Sequence, residues 1–129
     1  MGEVFTITVS SNYAELWRYN IAIVAACFDE NNNQMEVVFE RSHLADVGAN
    51  LRVAEDGWMA RHKLSVKTPK CAAIESLVYL IPHTLPSVHE IEDAVPFQVK
   101  IVIKRGSEVV HDALHQVNQW SGASIELKF

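Results

Sequence analysis

Apolar and polar residues alternate along most of this chain, and the alternation predicts strands. Phe5, Ile7 and Val9 against Thr6, Thr8 and Ser10 give the period-two pattern of a strand with one wet face. From Trp17 to Phe28 the chain runs WRYNIAIVAACF, apolar at both phases and rich in Ile, Val and aromatic residues. That predicts a central strand covered on both sides, with a buried helix as the rival. The turn-forming stretch DENNNQ, residues 29–34, follows, and Met35, Val37 and Phe39 then alternate with Glu36 and Glu40. Strand, turn and strand make a hairpin. Residues 42–57 carry Gly48, Asn50 and Gly57 and form a connection, in which Ser42 caps at most one short helical turn.

Trp58, Ala60, His62, Leu64 and Val66 share one face against Met59, Arg61, Lys63, Ser65 and Lys67. This predicts a half-exposed strand over 58–67, with His62 inward, broken by Thr68-Pro69-Lys70. IESLVYLI, residues 74–81, predicts a buried strand ended by Pro82. Pro82 to Pro96 holds three of the four prolines and predicts a long exposed crossing loop. Phe97, Val99, Ile101 and Ile103 alternate with Gln98, Lys100 and Lys104, and Ile125, Leu127 and Phe129 with Ser124, Glu126 and Lys128, giving two more strands. Residues 107–120 carry two patterns. Val110, Ala113, Leu114 and Val117 fit a helical stripe capped by Ser107, whereas Val109, His111, Ala113, His115 and Val117 fit one face of a strand. Arg105-Gly106-Ser107 favours a hairpin turn, and so a strand; a helix here would make the domain α+β. Seven or eight short strands without a repeat or βαβ spacing predict an all-β antiparallel sandwich, C2-like or Ig-like, in one domain over residues 1–129.

Composition narrows the function. With 129 residues, 49% hydrophobic and 21% charged, the chain can fold on its own core without a metal or disulfide staple. Sixteen acidic against eleven basic residues leave a net charge of -5, and no Lys/Arg block exceeds two neighbours, which argues against a nucleic-acid partner. The longest apolar run, Ile21–Phe28, is far shorter than the ~20 residues of a membrane helix, so no membrane partner is expected. The first nine residues lack a basic cluster and a small-residue cleavage site, which predicts a cytoplasmic protein. Cys27 and Cys71 stand outside any CxxC and are expected as buried free thiols; a disulfide across the sandwich stays open in an oxidising compartment.

Three groups of residues are candidates for chemistry. Asp29, Asn31, Asn33 and Glu40 follow the spacing of a calcium loop, whose hard oxygens must converge on one cation. Gln34 stands where that loop needs glycine, and an Asn-rich hairpin turn accounts for the same residues. His111 and His115, with Asp112 between, are spaced to share a face and to hold zinc, a polar face being the alternative. His83, His89 and Glu90 lie on the proline-rich segment, and Trp120 stands beside turn residues as an aromatic anchor for a partner, unless its ring packs inward. No nucleophile elbow, Walker loop, H-E-x-x-H or G-x-G-x-x-G occurs, so no motif supports an enzyme.

The order of segments resembles the TerD family of stress and tellurite-resistance β-sandwiches. RYNIAIVAACFDENNNQMEVVFER is similar to that family's strand, D-x-N turn and following strand, and IESLVYLI and FQVKIVIKRGSEVVHD are similar to later strands, over about residues 18–112. The family's acidic calcium signature would fall on Tyr19 to Ile23, where YNIAI has no carboxylate, so the resemblance implies the sandwich without those ligands. The expected function is a non-catalytic binding or assembly module. It would act through sheet edges or the 82–96 loop, with a protein partner or a second copy, and with no cofactor. The alternative is a weak calcium or zinc binding domain, stress-related or a small metal-dependent hydrolase.

Overall fold

The computed structural model describes residues 2–13, 16–42, 63–83 and 96–129, and these fold as a two-sheet antiparallel sandwich. Eight strands build it: β1 (Glu3–Ser10), β2 (Tyr19–Phe28), β3 (Gln34–Ser42), β4 (Lys63–Cys71), β5 (Ala73–Pro82), β6 (Phe97–Arg105), β7 (Glu108–Val117) and β8 (Ala123–Lys128). One sheet runs β4-β1-β6-β7 and the other β3-β2-β5-β8. Five of the seven strand-to-strand connections cross between the sheets; only β2-β3 and β6-β7 are hairpins. The core is what period-two patterning dictates. Phe5, Ile7 and Val9 of β1 and Val99, Ile101 and Ile103 of β6 meet Ile21, Ile23 and Ala25 of β2 and Ile74, Val78 and Leu80 of β5.

Within residues 107–120 the chain is a strand over Glu108–Val117, and a bulge explains the inward Val110, while Leu114 faces solvent. Ile103 pairs with His111 and Lys104 with Val109, which leaves Val110 as an extra residue on β7. The phase shifts there: Val110 packs against the core and Val109 turns out to solvent, the reverse of an unbroken alternation.

Thr68-Pro69-Lys70 does not end its strand. Val4 pairs with Lys70 and Thr6 with Lys67, so Thr68 and Pro69 together oppose Phe5 in a second bulge. Proline is tolerated because β4 is an edge strand and a bulged residue owes no N–H to the ladder. Leu64 and Val66 face inward as their alternation requires. The expected strand residues 58–62, His62 among them, lie outside the described residues.

β2 is covered on one face rather than two. Tyr19, Ile21, Ile23, Ala25 and Cys27 are buried, whereas the residues between them are only half-buried. Strand geometry begins at Tyr19, after a 3-10 turn over Leu16–Arg18. Register carries the apolar outer row onto β3: Phe39 stands opposite Val24 and Val37 opposite Ala26. The exposed set on β3 is therefore Met35, Val37 and Phe39, at 50%, 47% and 66% exposure, while Val38 turns to the core.

Candidate functional site

The structure brings together one pair of chemistry-bearing side chains from those the sequence nominates. His111 and His115 lie on the inner side of β7, with only the small Ala113 between them on that side. Their Nε2 atoms are 2.9 Å apart and their ring centres 5.2 Å apart. One ring donates its Nε2–H to the bare Nε2 of the other. The Phe129 ring, 5.7 Å from His111, closes the seam between β7 and the end of β8. Burial, then the neighbouring His111, lowers the pKa of His115 below its ordinary value, so that ring is neutral at pH 7. Asp112 alternates to the other face and pairs with Lys100 at 3.6 Å, away from the histidines. Among the described residues, no group of three or more His, Cys, Asp or Glu side chains is arranged to hold a metal.

Asp29 serves a turn. Its Oδ1 accepts the backbone N–H groups of Asn31 and Asn33, each at 2.9 Å, and these bonds, that of Asn33 foremost, lower its pKa. Asn32 adopts the left-handed region at φ 63° that such a turn demands. Glu40, the distal residue of the calcium-like spacing, is carried along β3 to stand opposite Ile23.

His83 is not a loop residue on the surface. It is 2% exposed, and its backbone N–H bonds the carbonyl of Arg18 at 2.9 Å. His89 and Glu90, and with them residues 84–95 of the expected loop, lie outside the described residues. Trp120 is half-buried rather than an open anchor, with its Nε1 turned into the protein. The Asn118 side-chain oxygen accepts the N–H groups of Trp120 and Ser121 and fixes this turn. Gly122 closes it at φ 73°, where a Cβ would stand 1.9 Å from the Leu80 carbonyl oxygen. Cys27 and Cys71 are buried free thiols.

The surface that sequence reasoning missed is the edge strand β3. The sequence showed its alternation but not which phase faces out; only the pairing of Phe39 with the outward Val24 shows that. All four edge strands carry charges or an irregularity, and β7 also exposes Leu114, at 60%. β4 has Lys63, Lys67, Lys70 and the Pro69 bulge; β7 has the Val110 bulge and Asp112; β8 spans only six residues and ends on Lys128. β3 spans nine residues with no Lys and no Pro but with Arg41 on its outward row, opposite Ala22, and its irregularity, at Met35, falls beside the turn. Its inner row carries Glu36 and Glu40.

No protein-family model matches the chain, and no curated protein matches it in sequence. Among solved structures, it is similar to the crystal structure of a DUF4425 family protein from Bacteroides ovatus ATCC 8483. That likeness has 12% identity and a TM-score of 0.47, and covers 100% of this chain and 94% of that one. No helix among the described residues is long and apolar enough to cross a membrane.

Proposed function

We propose that this domain is a non-catalytic assembly module that pairs with a second copy of itself, edge to edge, through β3. The observation that carries the reading is Phe39 at 66% exposure beside Val37 on a nine-residue edge strand without lysine or proline. An unpaired edge presents a row of N–H and C=O groups that another strand satisfies, and a two-fold axis lets the same strand do so.

Charge excludes two registers. In antiparallel two-fold pairing, an axis at Val38 sets Glu36 against the partner's Glu40, and an axis at Glu36 sets Glu36 against its own copy; like charges directly opposite are destabilising. An axis at Val37 sets Glu36 against the partner's Val38, clear of any carboxylate. It also sets Val37 against its own copy, at the centre of the exposed apolar row. The product is a continuous sheet in the order β8-β5-β2-β3 and its two-fold repeat.

Engineered cysteines test the register. Val37→Cys should form an interprotomer disulfide on mild oxidation, because directly opposed Cβ atoms lie about 4.5–5.5 Å apart. Phe39→Cys, displaced by about four residues from its own copy, should not. The native thiols are buried and do not compete. Cross-linking of Phe39→Cys in preference to Val37→Cys, or of neither, overturns the proposal.

A further inference from the structure

We propose that the outer face of the β4-β1-β6-β7 sheet lies flat on an anionic lipid surface, held by Lys63, Lys67, Lys100 and Lys104, with Val109 and Leu114 entering the headgroup layer beside them. The proposal is independent of self-association through β3, which belongs to the other sheet.

Lysines that are scattered along the sequence become neighbours through the strand register. Five of the six in the chain stand on the outward rows of this one sheet: Lys63, Lys67 and Lys70 on β4, and Lys100 and Lys104 on β6. Ser10 of β1 lies between Lys63 and Lys100, and Thr6 lies between Lys67 and Lys104. With neighbouring strands about 4.8 Å apart and a rise of about 3.3 Å per residue, these four lysines mark the corners of a rectangle of about 10 by 13 Å. Thr8 and Ser65, whose hydroxyls bond at 3.2 Å, lie between its two rows. Each row continues onto β7 with an exposed apolar residue: Leu114, at 60%, opposite Lys100, and Val109, at 49%, opposite Lys104. Asp112, opposite Val102, is the one carboxylate in these rows among the described residues. Its pairing with Lys100 is half-exposed on both sides, hence weak, and leaves the face cationic.

This pattern fits a lipid surface better than a nucleic acid. Ammonium groups act as point charges toward phosphate and carboxylate headgroups, and each adds to the attraction of an anionic leaflet. Among the described residues the outward rows carry no aromatic ring, so bases would find no stacking platform, and Arg105 at the end of β6 lies over the Phe5 ring. Exposed aliphatic side chains among lysines are the chemistry of an element that rests in the headgroup layer without spanning the bilayer. Beside Lys100 and Leu114 a cleft of about 410 Å3, lined also by Ser10, Ser11, Asn12 and Tyr13, offers a headgroup hydroxyl and amide partners. The chain as a whole carries a net charge of -5, so the rest of the molecule is acidic and repelled by the same surface, which orients this face toward it.

Co-sedimentation with vesicles tests the face. The native protein should bind phosphatidylcholine vesicles containing about 30% phosphatidylserine and leave pure phosphatidylcholine unbound. Salt at about 0.5 M, which screens charges beyond a few ångström, should release it. Lys67→Gln/Lys104→Gln should weaken binding about 25-fold, about fivefold for each charge. Leu114→Gln should weaken it several-fold, and Lys128→Gln, on the other sheet, should leave it unchanged. All four residues are exposed, and an unaltered Tm shows that each variant is folded. Equal binding to the two kinds of vesicle, native affinity in the lysine pair or in Leu114→Gln, an equal loss in Lys128→Gln, or binding to poly(U) in preference to the vesicles overturns the proposal.

Discussion

The backbone N–H of Phe5 donates to the side-chain oxygen of Thr68 at 3.0 Å, so a hydroxyl substitutes for the strand ladder where two residues of β4 oppose one of β1. Phe5 is fully buried, and its N–H has no water to fall back on. The same hydroxyl donates to the Pro69 carbonyl at 2.8 Å. Thr68→Val keeps the shape, leaves the buried N–H unpaired and should cost about 1–3 kcal/mol, whereas Thr68→Ser should retain most of the stability. Urea unfolding midpoints check this; an unchanged midpoint for Thr68→Val would contradict the role assigned to the hydroxyl.

This bulge also shows how far the sequence reaches. The all-β sandwich is legible because Phe5, Ile7 and Val9, and Val99, Ile101 and Ile103, keep strict period two through strands with one buried face. The continuation of β4 past Pro69 is not legible, since it depends on β4 being an edge and on Thr68 replacing a backbone group. Likewise, the inversion of Val109 and Val110 depends on one extra residue in a pairing that sequence spacing does not show. Spacing identified His111 and His115 as sharing a side of the strand, but only the fold leans their rings together. It misplaced His83, because a proline-rich neighbourhood signals a loop even where its first residues are packed at the end of β5.

Stability in EDTA should decline at both ends of the pH range. Burial and then the neighbouring His111 lower the pKa of His115 from its ordinary 6.5, so the unfolded chain takes up that proton first as the pH falls. The contribution is present above pH 6.5 and is lost as the pH falls from there through the folded pKa. At the other end, burial, and next the neighbouring Cys71, raise the Cys27 thiol from 9.0 to about 11. Its contribution is present below pH 9 and is lost as the pH rises to about 11. Urea midpoints across this range, in native protein and in Cys27→Ala, should show the alkaline decline only where the thiol is present. An equal alkaline decline in both would contradict the assignment.

Self-association through β3 is most directly tested by sedimentation velocity over a concentration series, comparing the native chain with Val37→Lys. Val37 is an exposed residue on an edge strand, so lysine there should leave the fold intact while setting two like charges face to face across the axis. The native protein should sediment as a dimer that dissociates on dilution, and Val37→Lys as a monomer throughout. A native chain that stays monomeric at the highest concentration, or a Val37→Lys variant that dimerises as readily as the native chain, would contradict the assembly role.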